Sequence, residues 1–175
     1  MITFSVIEGA EPNRGKLVYR PAEYSFDFVH TKTVEFARRQ GSPTSLLIGY
    51  LQIEVGIETG FLLYVWGLHG HHLWKQDFLP EIRPKPGIVK AHFDREMKMG
   101  VSVRIVEHEE WISVHDPSSG WVYIGPNVVT VASDYVEFAD NTVAALTGDR
   151  LVSLWLRPQL DAPIDPTSGV YKLCT

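Results

Sequence analysis

Three histidines fall within four residues in the stretch Leu62–Trp74, LLYVWGLHGHHLW, with Trp66 and Trp74 flanking them. Imidazole can ligate a divalent metal, carry a proton near neutral pH, or both donate and accept hydrogen bonds. Residues at spacing two on an extended segment project from one face, so His69 and His71 are expected to point together. His72 would then point away unless the turn at Gly70 redirects it. A catalytic metal held by imidazoles usually takes a third protein ligand. His92, His115, Asp77 and Glu81 are the candidates, and His69, His71 and His92 form the metal set read here. The spacing is not the HExxH helix, because no pair of histidines at i and i+4 encloses a glutamate. Nor does a glutamate closely follow the HxH pair, since Glu81 lies too far along.

The same loop has a second reading. Gly67 and Gly70 permit a sharp turn, and Trp66 and Trp74 would wall a pocket with the histidines at its mouth. Trp121 also borders a turn, and tryptophan at a turn edge combines large apolar area with a hydrogen-bond donor. Trp66, His69, His71, Trp74 and Trp121 are therefore the expected ligand- or partner-binding set. The plain alternative is a polar loop tip with exposed histidines and tryptophans packed at the rim of the core.

Other chemistry is thinner. Glu107-His108-Glu109-Glu110 is the densest acidic cluster, and carboxylates beside an imidazole can act as acid and base. Adjacent strand residues face opposite ways, so the cluster reads more simply as a charged hairpin tip. His115-Asp116 could supply an oriented base for Ser113, Ser118 or Ser119, but no GxSxG elbow occurs, and an Asp before Pro117 suits a turn. Cys174 is a poor nucleophile because terminal residues are rarely held firmly. Neither GxxxxGK[ST] nor GxGxxG is present, which disfavours nucleotide and dinucleotide enzymes. No motif calls for an organic cofactor; a divalent metal is the one cofactor the residues allow.

These candidates need a scaffold. A chain of 175 residues is most simply one domain, and folding at this size buries roughly 70% of the unfolded surface. With 45% hydrophobic and 11% aromatic residues, a sizeable core is expected and disorder is not. The net charge of −5 and the lack of a clustered basic face argue against nucleic acid. One cysteine precludes an intrachain disulfide and suits a reducing compartment. MITFSVIEG lacks the basic and apolar regions of a signal peptide, and no run of about 18 apolar residues could form a membrane-spanning helix. The expected location is the cytoplasm, away from membranes.

Short apolar segments recur every 8–12 residues between Gly, Pro and Asp turns, the mark of an antiparallel sandwich or flattened barrel. About 10–12 short strands are expected. Tyr24, Phe26, Phe28 and His30 alternate with polar residues and Val29, giving an aromatic face. Thr33–Gln40 reads as one short helix capped by Thr33, although Val34 and Phe36 at spacing two would also extend a strand. Leu46–Val55 and Phe61–Trp66 form the clearest hairpin, closed through Gly60. Both arms are apolar at nearly every position, which implies cover on both faces. Pro80, Pro84 and Pro86 make Leu79–Gly87 a crossing connector rather than a strand. Trp111–His115 and Trp121–Ile124 form a second hairpin, and Val128–Ala132 reads as a strand. The Asp-Pro-Ser-Ser-Gly turn at Asp116 is echoed by Asp-Pro-Thr-Ser-Gly at Asp165, which reads as shared turn chemistry.

Two functions remain open at this level. One is a non-catalytic binding or interaction protein, an inhibitor- or immunity-type partner or a small-ligand carrier. The other is a metal-binding protein or metal-dependent enzyme centred on His69, His71 and His72.

Overall fold

Strand-forming sequence dominates because β-branched and aromatic residues alternate with polar ones over short spans. The computed structural model describes residues 1–107, 110–127, 129 and 131–164. Its strands, in chain order, are β1 (Thr3–Glu8), β2 (Gly15–Arg20), β3 (Ser25–His30), β4 (Pro43–Ile48), β5 (Leu51–Gly56), β6 (Leu62–Leu68), β7 (Trp74–Gln76), β8 (Lys85–His92), β9 (Val103–Val106), β10 (Ile112–His115), β11 (Val122–Gly125), β12 (Asp134–Ala139), β13 (Thr142–Thr147), β14 (Arg150–Leu156) and β15 (Gln159–Leu160). One sheet runs β1-β8-β12-β13-β14-β11-β10-β7, and the other runs β15-β2-β3-β6-β5-β4-β9. The two sheets form an open, sandwich-like all-β fold rather than a closed barrel.

The strand count among the described residues exceeds the 10–12 expected. Leu46–Val55 is not one strand but two, β4 and β5, reversing at Gly49–Tyr50. The short β7 and β15 add to the sheet edges. The sheets are mixed rather than purely antiparallel: β7 with β10, β8 with β12, β9 with β4 and β15 with β2 all pair in parallel. The partners in each parallel pair are far apart in sequence, so turn patterns do not reveal them.

The shared core lies between the sheets. Leu17 and Tyr19 of β2, Phe26 and Phe28 of β3, Leu51 and Ile53 of β5, Ile124 of β11, and Leu154 and Leu156 of β14 all point into it. The β5–β6 hairpin is central in its sheet, as expected, but its faces are unequally covered: one lies in the core, and the other is met only in part, where Phe36 packs near Tyr64. Trp66 and Leu68 remain exposed on the other face. The doubly covered strands are β11, β13 and β14. Their second face packs Tyr123, Val143, Ala145 and Trp155 under Leu79 and Ile82 of the proline-rich connector. As far as Pro84 that connector holds no strand and crosses the outside of the sheet, but Lys85–Gly87, expected to belong to it, are already part of β8, paired between β1 and β12.

The helix α1 (Val34–Gln40) starts where Thr33 Oγ1 accepts the Phe36 N–H at 3.0 Å. Its Phe36 stacks on His30 and packs near Tyr64. Gly60, at φ +72°, turns the chain between β5 and β6, and a side chain there would meet the Ala91 carbonyl. Val129, Val131 and Ala132 are in no strand; Val128 and Thr130 lie outside the described residues, as do His108, Glu109, the Asp165 turn and Cys174. No helix among the described residues is long and apolar enough to cross a membrane.

Candidate functional site

The histidine loop is a crossover. β6 ends in one sheet at Leu68, and β7 begins in the other at Trp74. Between them the chain is pinned by one buried phenol. Tyr19 Oη donates to the His69 carbonyl at 2.7 Å and accepts the His71 N–H at 2.8 Å. Burial raises the Tyr19 pKa well above the ordinary phenol range, so it stays a neutral donor. Tyr24, left-handed at φ 52°, follows a single 3₁₀ turn at Pro21–Glu23, and its carbonyl accepts the His69 N–H at 2.7 Å.

His71–Leu73 then forms a second 3₁₀ turn, and this breaks the period-two alternation expected of the loop. His69 and His72 line a cleft, while His71 turns into the protein. His71 stacks on Tyr24, with ring centroids 5.2 Å apart, and meets the edges of Tyr19 and Trp74. Its pKa is lowered, first by burial and then by His72. A Cβ at Gly70 would meet the exposed His72 ring, which would have to swing aside.

Across the sandwich, His69 Nε2 lies 2.7 Å from Ser113 Oγ on β10. Ser113 is thus paired with His69 and not with His115. His115 Nδ1 instead lies 3.0 Å from Gln76 Oε1, and burial lowers its pKa although Asp116 opposes the shift. Asp116 is a turn residue. It accepts from the Ser118 hydroxyl and backbone N–H and from the Leu79 N–H, tying the second hairpin to the connector. Those bonds hold its carboxyl well below the ordinary range. The His115–Asp116 base is therefore replaced by two structural contacts.

The cleft has a volume of about 720 Å³. Tyr24, Tyr50, Leu68, Leu73, Trp111 and Ile112 supply its apolar walls. His69, His72, Ser113, Glu23 and Glu107 supply its polar groups. Sequence reasoning missed Tyr24, Tyr50 and Trp111 as site residues. Tyr24 reads as part of an alternating strand, Tyr50 is hidden inside an apparent single strand, and Trp111 reads only as the first residue of a hairpin arm. Ser113 carried a signal, in that it was a candidate hydroxyl, but it was matched to the wrong histidine.

The tryptophans of the expected set do not gather here. Trp74 is buried beneath the loop against Tyr19 and Phe26, and its indole N–H has no hydrogen-bond partner among the described residues. Trp66 faces the outside of its sheet and donates to Glu54 Oε2 at 3.1 Å. It borders a shallower groove that shares Glu23, Gly49, Tyr50 and Leu68 with the cleft. Trp121 packs on the far face of the other sheet, beside Trp155 and under the Arg157 guanidinium.

The metal set likewise does not assemble. His92 is on β8, bonded to Ser5 Oγ at 2.7 Å, while His71 faces the aromatic core. No three His, Cys, Asp or Glu side chains among the described residues are grouped as metal ligands. What the site offers is a hydrogen-bonding His–Ser pair between apolar walls. No protein-family model matches the chain, and no curated protein matches it in sequence.

Proposed function

We propose that this protein is a non-catalytic binding protein that takes a small, partly apolar organic ligand in the cleft at the β6–β7 crossover. The carrying observation is the His69–Ser113 bond of 2.7 Å inside a cleft of about 720 Å³ walled by Tyr24, Tyr50 and Trp111. Concave sites with apolar walls and a few convergent polar groups are the usual form of small-ligand sites. The His–Ser pair would fix the ligand's polar end by donating and accepting at once, and the aromatic faces would take its apolar part. Glu23 and Glu107 at the same cleft favour a neutral or cationic ligand over an anionic one. The single cysteine and the acidic surface suit a cytoplasmic carrier.

Ligand-observed NMR with indole, tyramine, benzamidine and imidazole tests the proposal. At least one should bind wild-type protein and lose that binding in both Trp111→Ala and Ser113→Ala. Binding that survives both substitutions, or no binding at all, overturns it. A metal scan of purified protein checks the other function. Stoichiometric zinc, iron, manganese or nickel that is lost with His69→Ala would replace a carrier by a metalloprotein.

A further inference from the structure

A second cavity, of about 790 Å³, lies between the edge strands of the two sheets, β1 and β9, and reaches the start of β14. Ile2, Phe4, Val103, Ile105, Leu151 and Trp111 give it apolar walls. Trp111 lines both this cavity and the His69 cleft.

The charge at this cavity runs against that of the molecule. The chain carries a net charge of −5, yet Arg95, Arg104 and Arg150 all line this seam. Asp94, its single lining acid among the described residues, is paired with the amino group of Met1. Arg104 is committed inward: its Nη1 donates to the Gly49 carbonyl at 2.7 Å, and its Nε lies 3.9 Å from Glu107. Arg95 and Arg150 enter no ion pair among the described residues. Apolar walls with two uncommitted guanidiniums suit a ligand with an apolar chain and an anionic, planar head that a guanidinium can grip with two hydrogen bonds.

We infer that the β1–β9 seam binds a linear medium-chain carboxylate. Its chain lies along Ile2, Val103, Ile105 and Leu151, and its head group meets Arg95 and Arg150. The site is separate from the His69 cleft and does not depend on the function proposed for it.

Isothermal titration of the full chain with octanoate, decanoate and dodecanoate tests this. Affinity should rise about fourfold for each added methylene, because each buried CH₂ contributes about 0.8 kcal/mol. Arg95→Gln combined with Arg150→Gln should weaken dodecanoate by about tenfold or more, the loss expected for charge-assisted hydrogen bonds, with an unchanged melting temperature. Dodecanol, which lacks the anionic head, should bind wild type and the double variant equally. Ser113→Ala should leave dodecanoate binding intact. Affinity that does not grow with chain length, or that ignores the arginine substitutions, overturns the inference. Loss of dodecanoate in Ser113→Ala would move the ligand to the His69 cleft and also overturn it. Sedimentation with phosphatidylglycerol vesicles, in the absence of any binding to monomeric dodecanoate, would replace a soluble carboxylate by a membrane surface.

Discussion

His69 and Ser113 are 44 residues apart in sequence, and their side chains meet at 2.7 Å across the two sheets. The bond joins the end of β6 to β10 where the chain crosses between layers. Ser113 is buried, so its hydroxyl needs this partner. Ser113→Ala should lower unfolding free energy by about 1 kcal/mol, the typical net worth of one such bond. Urea denaturation measures it. No change in midpoint would mean that the bond contributes nothing to the crossover.

Tyr19 holds the same loop from below. Removing its hydroxyl leaves the His69 carbonyl and the His71 N–H without the partner they share. Tyr19→Phe should cost about 2 kcal/mol, more than Ser113→Ala, because two backbone groups lose a buried partner. Hydrogen exchange at the His71 amide should accelerate in step. An unchanged exchange rate would show that the loop is held by other contacts.

Stability should fall as the solution is acidified below neutrality. Burial holds the pKa of His71 and of His115 below the ordinary imidazole value of 6.5. As pH drops through about 6.5, the unfolded chain takes up protons that the folded chain still refuses. The unfolded state then binds more protons, and its free energy falls relative to the native state. The loss continues until the lowered native pKa values are reached, and it is absent above about pH 7.5, where both states are neutral. Melting temperature between about pH 7 and pH 5.5 should decline in wild type and decline less in His71→Phe, which keeps a stacked ring on Tyr24. Parallel slopes in the two proteins would exclude His71 as a source.

Gly60 and Gly120 both hold the left-handed conformation expected of their turns, at φ +72° and +78°. They differ in surroundings. A Cβ at Gly60 would collide with the Ala91 carbonyl, whereas one at Gly120 would touch only the Arg157 side chain at 3.6 Å. Gly120→Ala should cost about 1–2 kcal/mol from backbone strain alone. Gly60→Ala should cost more, because β8 must also shift. Equal losses in thermal denaturation would mean that the Gly60–Ala91 contact relaxes freely.

Local chemistry was legible in the residues themselves. Thr33 could be read as a helix cap because its hydroxyl bonds an amide three residues on. The β5–β6 and β10–β11 turns were legible because glycine is the residue that takes positive φ without strain. The all-β character followed from alternation and turn spacing, which depend on neighbours only. Tertiary structure decided the rest. Trp66 and Trp74 look symmetrical about the histidines, yet one lies on an outer sheet face and the other in the core. The separating event is the crossover itself, where a 3₁₀ turn replaces extended chain and exchanges the roles of His71 and His72. Ser113 was a visible hydroxyl with two candidate histidines. Only the packing of β7 beside β10 decides that His69 reaches it and that His115 reaches Gln76 instead. Contacts of this kind form between segments distant in the chain, and no pattern of neighbouring residues specifies which pair will meet.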